Sequence, residues 1–314
     1  MFAGTKQIGP DTNGTSETLA RGRNQTARSV AIRALLPAIV ICAAAGLGWL
    51  HRDLASPGWL DAPLLILAMA YTVAGLTREL PVQNAIMASA LAAFIFSLVW
   101  IIGAKTGIPF GPVLEADRFG SRMIGILPWP VPALGVVIIL NSRQVARLIL
   151  RRWPDLSNPG LWTIGLASVF ALAIDMALEP YAAGSRMFRV RGSSGAMLTW
   201  HAAPWYGFFI LAAATSLILV VCVPWLIDKR GTNIRAVNLY PLWLWLAVDL
   251  FLNAANAAHG FWDCVAVGLV IAMVVGALSV RGVSVQESQT QTVRFVARVR
   301  RALTKFTTKF ARKF

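Results

Sequence analysis

Charge is scarce in this chain. Of its 314 residues 14% are charged and 57% hydrophobic, with a mean hydropathy of +0.63, whereas soluble domains carry about 25% charged residues. That composition excludes a soluble globular protein and marks an integral membrane protein. Acidic residues are the scarcer sign, 14 against 29 lysines and arginines, giving a formal charge of +15. Cysteine and histidine number three each. Cys42, Cys222 and Cys264 lie far apart, in or beside apolar runs, so no disulfide framework or metal spacing can be read from them. His51, His201 and His259 fall near the ends of such runs, and no two share a helical face at ligand spacing, so no metal is expected. The chain also lacks GxxxxGK[ST], HExxH and a GxGxxG loop after a strand, which removes nucleotide and zincin chemistry. "RGSSG" at 191–195 lacks the spacing of a nucleophile elbow. No cofactor is expected.

What the chain has instead is long apolar runs. A span needs roughly 20 mostly apolar residues to cross about 30 Å of hydrocarbon. Eight segments qualify: 34–50, 59–76, 84–103, 124–140, 160–178, 204–227, 238–256 and 262–280. The fourth contains Pro128, Pro130 and Pro132 and is expected to enter brokenly or kinked. With the N-terminus inside, this count places 22 of the 29 basic residues in the leader, the inner connections and the C-terminal tail, and leaves 7 outside. The bias follows the positive-inside rule and supports eight spans with both termini cytoplasmic. The expected fold class is therefore all-α, a polytopic membrane helix bundle of about eight transmembrane helices in the inner (plasma) membrane. The partners expected from the charge are anionic lipids rather than nucleic acid, because the basic residues avoid the apolar runs.

Two tails flank the bundle of 34–280. Residues 1–33 read as a disordered basic leader, too long for an ordinary signal-peptide n-region. In 281–314, a linker leads to "QTVRFVARVRRALTKFTTKFARKF". At helical spacing Phe295, Val299, Leu303, Phe306 and Phe310 gather on one face and Arg294, Arg298, Arg301, Lys305 and Lys309 on the other, the pattern of an interfacial amphipathic helix.

The carboxylates within this apolar sequence are the candidates for chemistry. In "FALAIDMALEPYAAG", residues 170–184, Asp175 and Glu179 stand four apart, hence on one helical face about 6 Å from each other along the axis. Charge at depth is costly, so that face should turn to the bundle interior or a watery cavity. Either Asp175 carries function, or it pairs with an arginine or caps a neighbouring helix. Asp249, Asn253 and Asn256 make a second polar face on the seventh segment, either interhelical glue or a lined water path. The turn-rich connection "KTGIPFGPVLEADRFGSR" brings Glu115 to the side of Asp175. "MLTWHAAPWYGFF" brings Trp200, His201, Trp205 and Tyr206 there too, as an aromatic belt or as substrate contacts.

These motifs together resemble a known family. "TGIPFG", then "GILPWPVP", then Asp175 with Pro180, then Trp200 and the Tyr206-Gly207 entry resemble the bacterioruberin-type carotenoid hydratases among the membrane carotenoid biosynthesis proteins. The resemblance runs over about residues 100–215. It departs after Tyr206-Gly207, where the family's proline and asparagine are missing, and after the PFG turn, where "PVLEADRFG" lacks the family's tyrosines.

The resemblance implies a hydratase of the lyase class that adds water across the terminal double bond of an acyclic carotenoid, giving a tertiary alcohol. Such a site needs a carboxyl held protonated in dry surroundings, a group to stabilise the tertiary cation, and a base that orients water. The residues that would serve are Asp175 as proton donor or counter-charge, Glu179 or Glu115 on the water, and Asp249 as the rival acid. Pro109, Phe110, Trp200, His201, Trp205, Tyr206 and Asn253 would contact substrate. Two alternatives from other classes stand beside it. An intramembrane prenyltransferase would use the loosely paired acidic motifs on magnesium and a diphosphate. A non-catalytic transporter or assembly protein of the pigment pathway would use the broken helices and polar stripes differently.

Overall fold

The computed structural model describes residues 61–107, 113–115, 121–153, 155–182, 189–191, 198–201, 203–227 and 238–282, with positions 39 and 43 ahead of them. The leader, the 34–50 run but for those two positions, Pro109, Phe110 and the C-terminal amphipathic segment lie outside the described residues.

The described chain is a helix bundle: α1 (Asp61–Glu79), α2 (Val82–Thr106), α3 (Val131–Leu150), α4 (Pro159–Pro180), α5 (Trp205–Leu226), α6 (Tyr240–Ala258) and α7 (Trp262–Gly282). Short antiparallel pairs join them: β1 (Val113–Glu115) with β4 (Arg189–Arg191), β2 (Arg122–Met123) with β3 (Leu127–Pro128), and β5 (Thr199–Trp200) with β6 (Ala203–Pro204). Punctuation residues set the helix ends. Pro81 starts α2 one residue after Leu80, whose N–H closes α1 on the Leu76 carbonyl at 2.8 Å. Gly107 ends α2 in the left-handed conformation, φ 71°, with its N–H on the Gly103 carbonyl. Gly260, φ 79°, turns α6 into α7.

Seven of the eight expected segments thus have a helix. Five of these, α2, α3, α4, α5 and α7, are long and apolar enough to cross a membrane, so five of the eight expected spans are supported among the described residues. The other two are interrupted by their own polar residues, Arg78 and Glu79 in the last turn of α1, and Asp249, Asn253 and Asn256 along α6.

The fourth segment is displaced from its expected place. Its first residues, 124–130, form the β2–β3 hairpin and its exit, where Pro128 and Pro130 need no helical N–H partner. The helix begins at Val131 and continues through Arg143 and Arg147, which the charge pattern had assigned to a connection. Those arginines stay helical because partners meet them: Arg147 binds Glu79 of α1 at 3.0 Å, Arg151 approaches it at 3.9 Å, and Arg143 donates to the Leu226 carbonyl of α5 at 2.9 Å. The helix absorbs a wider π turn at Val137–Asn141.

Helix α3 is the hub, packed against α1, α2, α4 and α6, with 89% of its apolar window buried. Around it, α2, α5 and α7 bury a third or less and expose Phe94, Ile102, Phe209, Leu217 and Met273, the apolar face lipid requires. The inward face of α2 is built largely of small residues. Ala85, Ala88, Ser89 and Ala92 of α2 are buried, and a Cβ at Gly135 would run into the Phe96 ring, so α2 and α3 sit backbone-close. Gly135→Ala is therefore expected to cost about 1–3 kcal/mol, read as a lower unfolding midpoint in detergent. Gly160→Ala, where the added methyl meets open space, should leave that midpoint unchanged or raise it.

Candidate functional site

The bundle has two chemically different ends. At one, Glu79 gathers the arginines of α3. At the other, the last turns of α4 and α6 meet the first turns of α5 and α7 and the β5–β6 hairpin.

Pro180 organises this second end. A proline has no N–H, so the carbonyl four residues back in α4, that of Met176, loses its helical partner. The indole N–H of Trp200 takes its place, donating to the Met176 carbonyl at 3.0 Å. The next residue, Tyr181, turns its N–H to the Leu178 carbonyl instead of to Ala177. The Ala177 carbonyl is then met by the side-chain amide of Asn256 on α6, at 2.9 Å. Two neighbouring carbonyls freed by one proline thus tie α4 to the hairpin and to α6. The carboxylates predicted from sequence flank this turn. Asp175 is half-buried, Glu179 is fully buried at 0% exposure, and both make contacts within the protein.

The other predicted residues fall around it. Asp249 is buried on α6 and accepts a hydrogen bond from the Asn253 amide at 2.9 Å. The amide oxygens of Asn253 and Asn256 are buried without a partner. A Cβ at Gly268 would overlap the Asn253 amide, so α7 is pressed directly against that stripe. Glu115 lies on β1 opposite Arg189 of β4, a pairing that joins the third and fifth connections at this end. Trp200 makes edge contacts with His201 and Trp205, ring centroids 5.2 and 6.1 Å apart. Tyr206 is exposed, so it does not share the shelter of its neighbour Trp205.

Residues that the sequence reading passed over also converge here. Asp263 and Cys264, at the start of α7, reach His201 across the hairpin: Asp263 Oδ2 is 2.9 Å and Cys264 Sγ 3.1 Å from the same ring nitrogen, Nε2. Histidine pairs at helical spacing were the wrong signal for this contact, because its members are some sixty residues apart. A polar Asp-Cys pair opening an apolar run was the visible clue. Tyr181, packed edge-on to Phe251 at 5.6 Å, was equally silent in sequence.

A family model described as carotenoid biosynthesis protein matches residues 60–275. No curated protein and no solved structure matches the chain.

Trp200→Phe removes the indole donor and should lower stability in detergent by about 1 kcal/mol. In a Pro180→Ala background, where residue 180 regains an N–H for the Met176 carbonyl, the same substitution should cost less. Equal costs in both backgrounds, measured as a double-mutant cycle, would show that the indole does not stand in for the proline.

Proposed function

The chain belongs to the carotenoid biosynthesis protein family, and from that premise we propose that it hydrates the terminal double bond of an acyclic carotenoid end group. A role in carotenoid biosynthesis in the membrane follows from the family and the apolar helices. The reaction itself is our reading. The observation that carries it is the gathering of carboxylates, an aromatic hairpin and unpartnered amide oxygens about the Pro180 turn.

In this reading Asp175 gives its proton to the less substituted carbon of the terminal alkene. The π pair forms the new C–H bond and leaves a tertiary cation. The π faces of Trp200 and Trp205 and the carboxylate left on Asp175 stabilise that cation. Glu179 or Glu115 orients a water, whose oxygen attacks the cation. The proton it sheds returns to the carboxylate, so the site ends as it began and the product is the tertiary alcohol. Among the described aromatic contacts, Tyr206 is exposed, which speaks against its sheltering the substrate. Asp249 is the second candidate acid, about 10 Å along α6 from Asn256.

The reading is tested by expressing the chain in a bacterium that accumulates an acyclic carotenoid and weighing the pigments. Products heavier by one water per reacted end are expected. Asp175→Asn should cut conversion by about 100-fold or more. Full conversion by Asp175→Asn together with loss in Asp249→Asn would move the acid to α6. Magnesium dependence with release of diphosphate would indicate a prenyltransferase instead, and an unchanged pigment mixture a transporter or assembly protein.

A further inference from the structure

Three side chains at the α7 end converge on a single point. His201 Nε2 lies 2.9 Å from Asp263 Oδ2 and 3.1 Å from Cys264 Sγ, and the three atoms all fall within 4.8 Å of one another. A ring nitrogen carries either one hydrogen or one lone pair, so Nε2 cannot serve both neighbours well. A catalytic Cys-His-Asp relay would set the acid and the thiol on opposite ring nitrogens. Here both approach the same one. Three donor atoms of these types gathered at one point match the arrangement of ligands around a cation.

The backbone is built for this aim. His201 sits at φ 46°, in the left-handed region that a non-glycine residue enters at a cost of about 1–3 kcal/mol. Its ring is held edge-on between Trp200 and Phe261, at centroid distances of 5.2 and 5.1 Å. The thiol of Cys264 is buried, at 2% exposure, while the Asp263 side chain is 58% exposed. An ion therefore has a soft buried ligand on one side and a hard ligand facing its entrance on the other.

We propose that His201, Asp263 and Cys264 bind a divalent transition-metal ion of the zinc class. Imidazole, thiolate and carboxylate are together the donor set of that class, and calcium or magnesium would require oxygen ligands alone. Tetrahedral ligands at zinc bond lengths stand roughly 3.4–3.6 Å apart, so this triangle has to open by about half an ångström to hold the ion. Binding releases the thiol proton to solvent. Three protein ligands leave a fourth position for water, as in sites that present a metal-bound water rather than merely cross-link the chain. The ion would pin α7 to the β5–β6 hairpin next to the Trp200 bond that caps α4. This inference stands apart from the hydration reading, since it concerns metal content and not turnover.

The test uses the full chain purified in detergent without chelator, with elemental analysis after gel filtration. About one equivalent of zinc-class metal per chain is expected. Chelated protein titrated with Co²⁺ should develop a near-ultraviolet thiolate-to-metal band. Cys264→Ser should abolish that band, and His201→Ala should weaken cobalt binding at least about tenfold. Cys222→Ser, which removes a buried thiol elsewhere, should keep it, and far-UV circular dichroism checks that each variant is folded. Folded wild-type protein that carries no metal and develops no band overturns the proposal. So does a band that survives Cys264→Ser or vanishes with Cys222→Ser.

Discussion

In hydrocarbon a backbone group that loses its partner has no water to turn to, so another part of the chain must answer it. The missing N–H of Pro180 is that problem in its plainest form here. It frees the Met176 carbonyl, and the change of partner at Tyr181 frees the Ala177 carbonyl. The indole of Trp200 and the amide of Asn256 answer them. Each bond ties α4 to an element distant in sequence, one to the hairpin before α5 and one to α6. These bonds to the α4 backbone hold the turn that carries the carboxylates against the aromatic hairpin and α6. A proline five residues after one candidate acid and directly after another shapes the turn that holds both.

The opposite end solves a different problem. Helix α3 runs on through Arg143 and Arg147, and its burial there requires acceptors. Glu79 supplies one carboxylate for Arg147 and Arg151, and the free C-terminal carbonyl of Leu226 serves Arg143. The side chains of Asn141, Ser142 and Gln144 keep buried atoms without partners, so the hub carries a polar core at this depth. Burial also lowers the proton affinity of Arg151, partly offset by the attraction of Glu79. These ion pairs are local to the helix ends. Truncating Glu79 would strand partly buried cations, a larger penalty than the pair itself is worth.

Hydrophobic run length was a sound guide to where helices lie, because lipid tolerates few other structures. It placed α4 and α5 to within a few residues of their bounds. It failed where a polar stretch finds partners in another helix: nothing local to "NSRQVARLIL" reveals that Glu79 lies beside it. The charge bias is insensitive to that error, since the arginines still gather at one end of α3 whether they end a helix or begin a loop. At the site, Asp175, Glu179 and the α6 stripe were legible because polar residues in an apolar run need a reason. Their connection through Asn256 and Ala177 was not, since a side-chain amide seeking a carbonyl leaves no mark in sequence spacing. The triangle of His201, Asp263 and Cys264 was hidden for the same cause, a contact between a hairpin and a helix start.

The character of the unpartnered atoms bears on what this end of the bundle can hold. On α6 one amide N–H of Asn253 is given to Asp249 and one of Asn256 to the Ala177 carbonyl. The oxygen of each amide is buried without a hydrogen-bond partner. A diphosphate is all acceptor and would find no use for them; it needs guanidinium or ammonium donors and a cation. Water and a tertiary alcohol both bring O–H donors, and buried acceptors of this kind are what an ordered water satisfies. In the proposed hydration these two oxygens would be acceptors for a water or for the tertiary alcohol. Gly268 reinforces the point, because by lacking a side chain it lets α7 close over Asn253 and keep bulk solvent from the oxygens that a single positioned water would use.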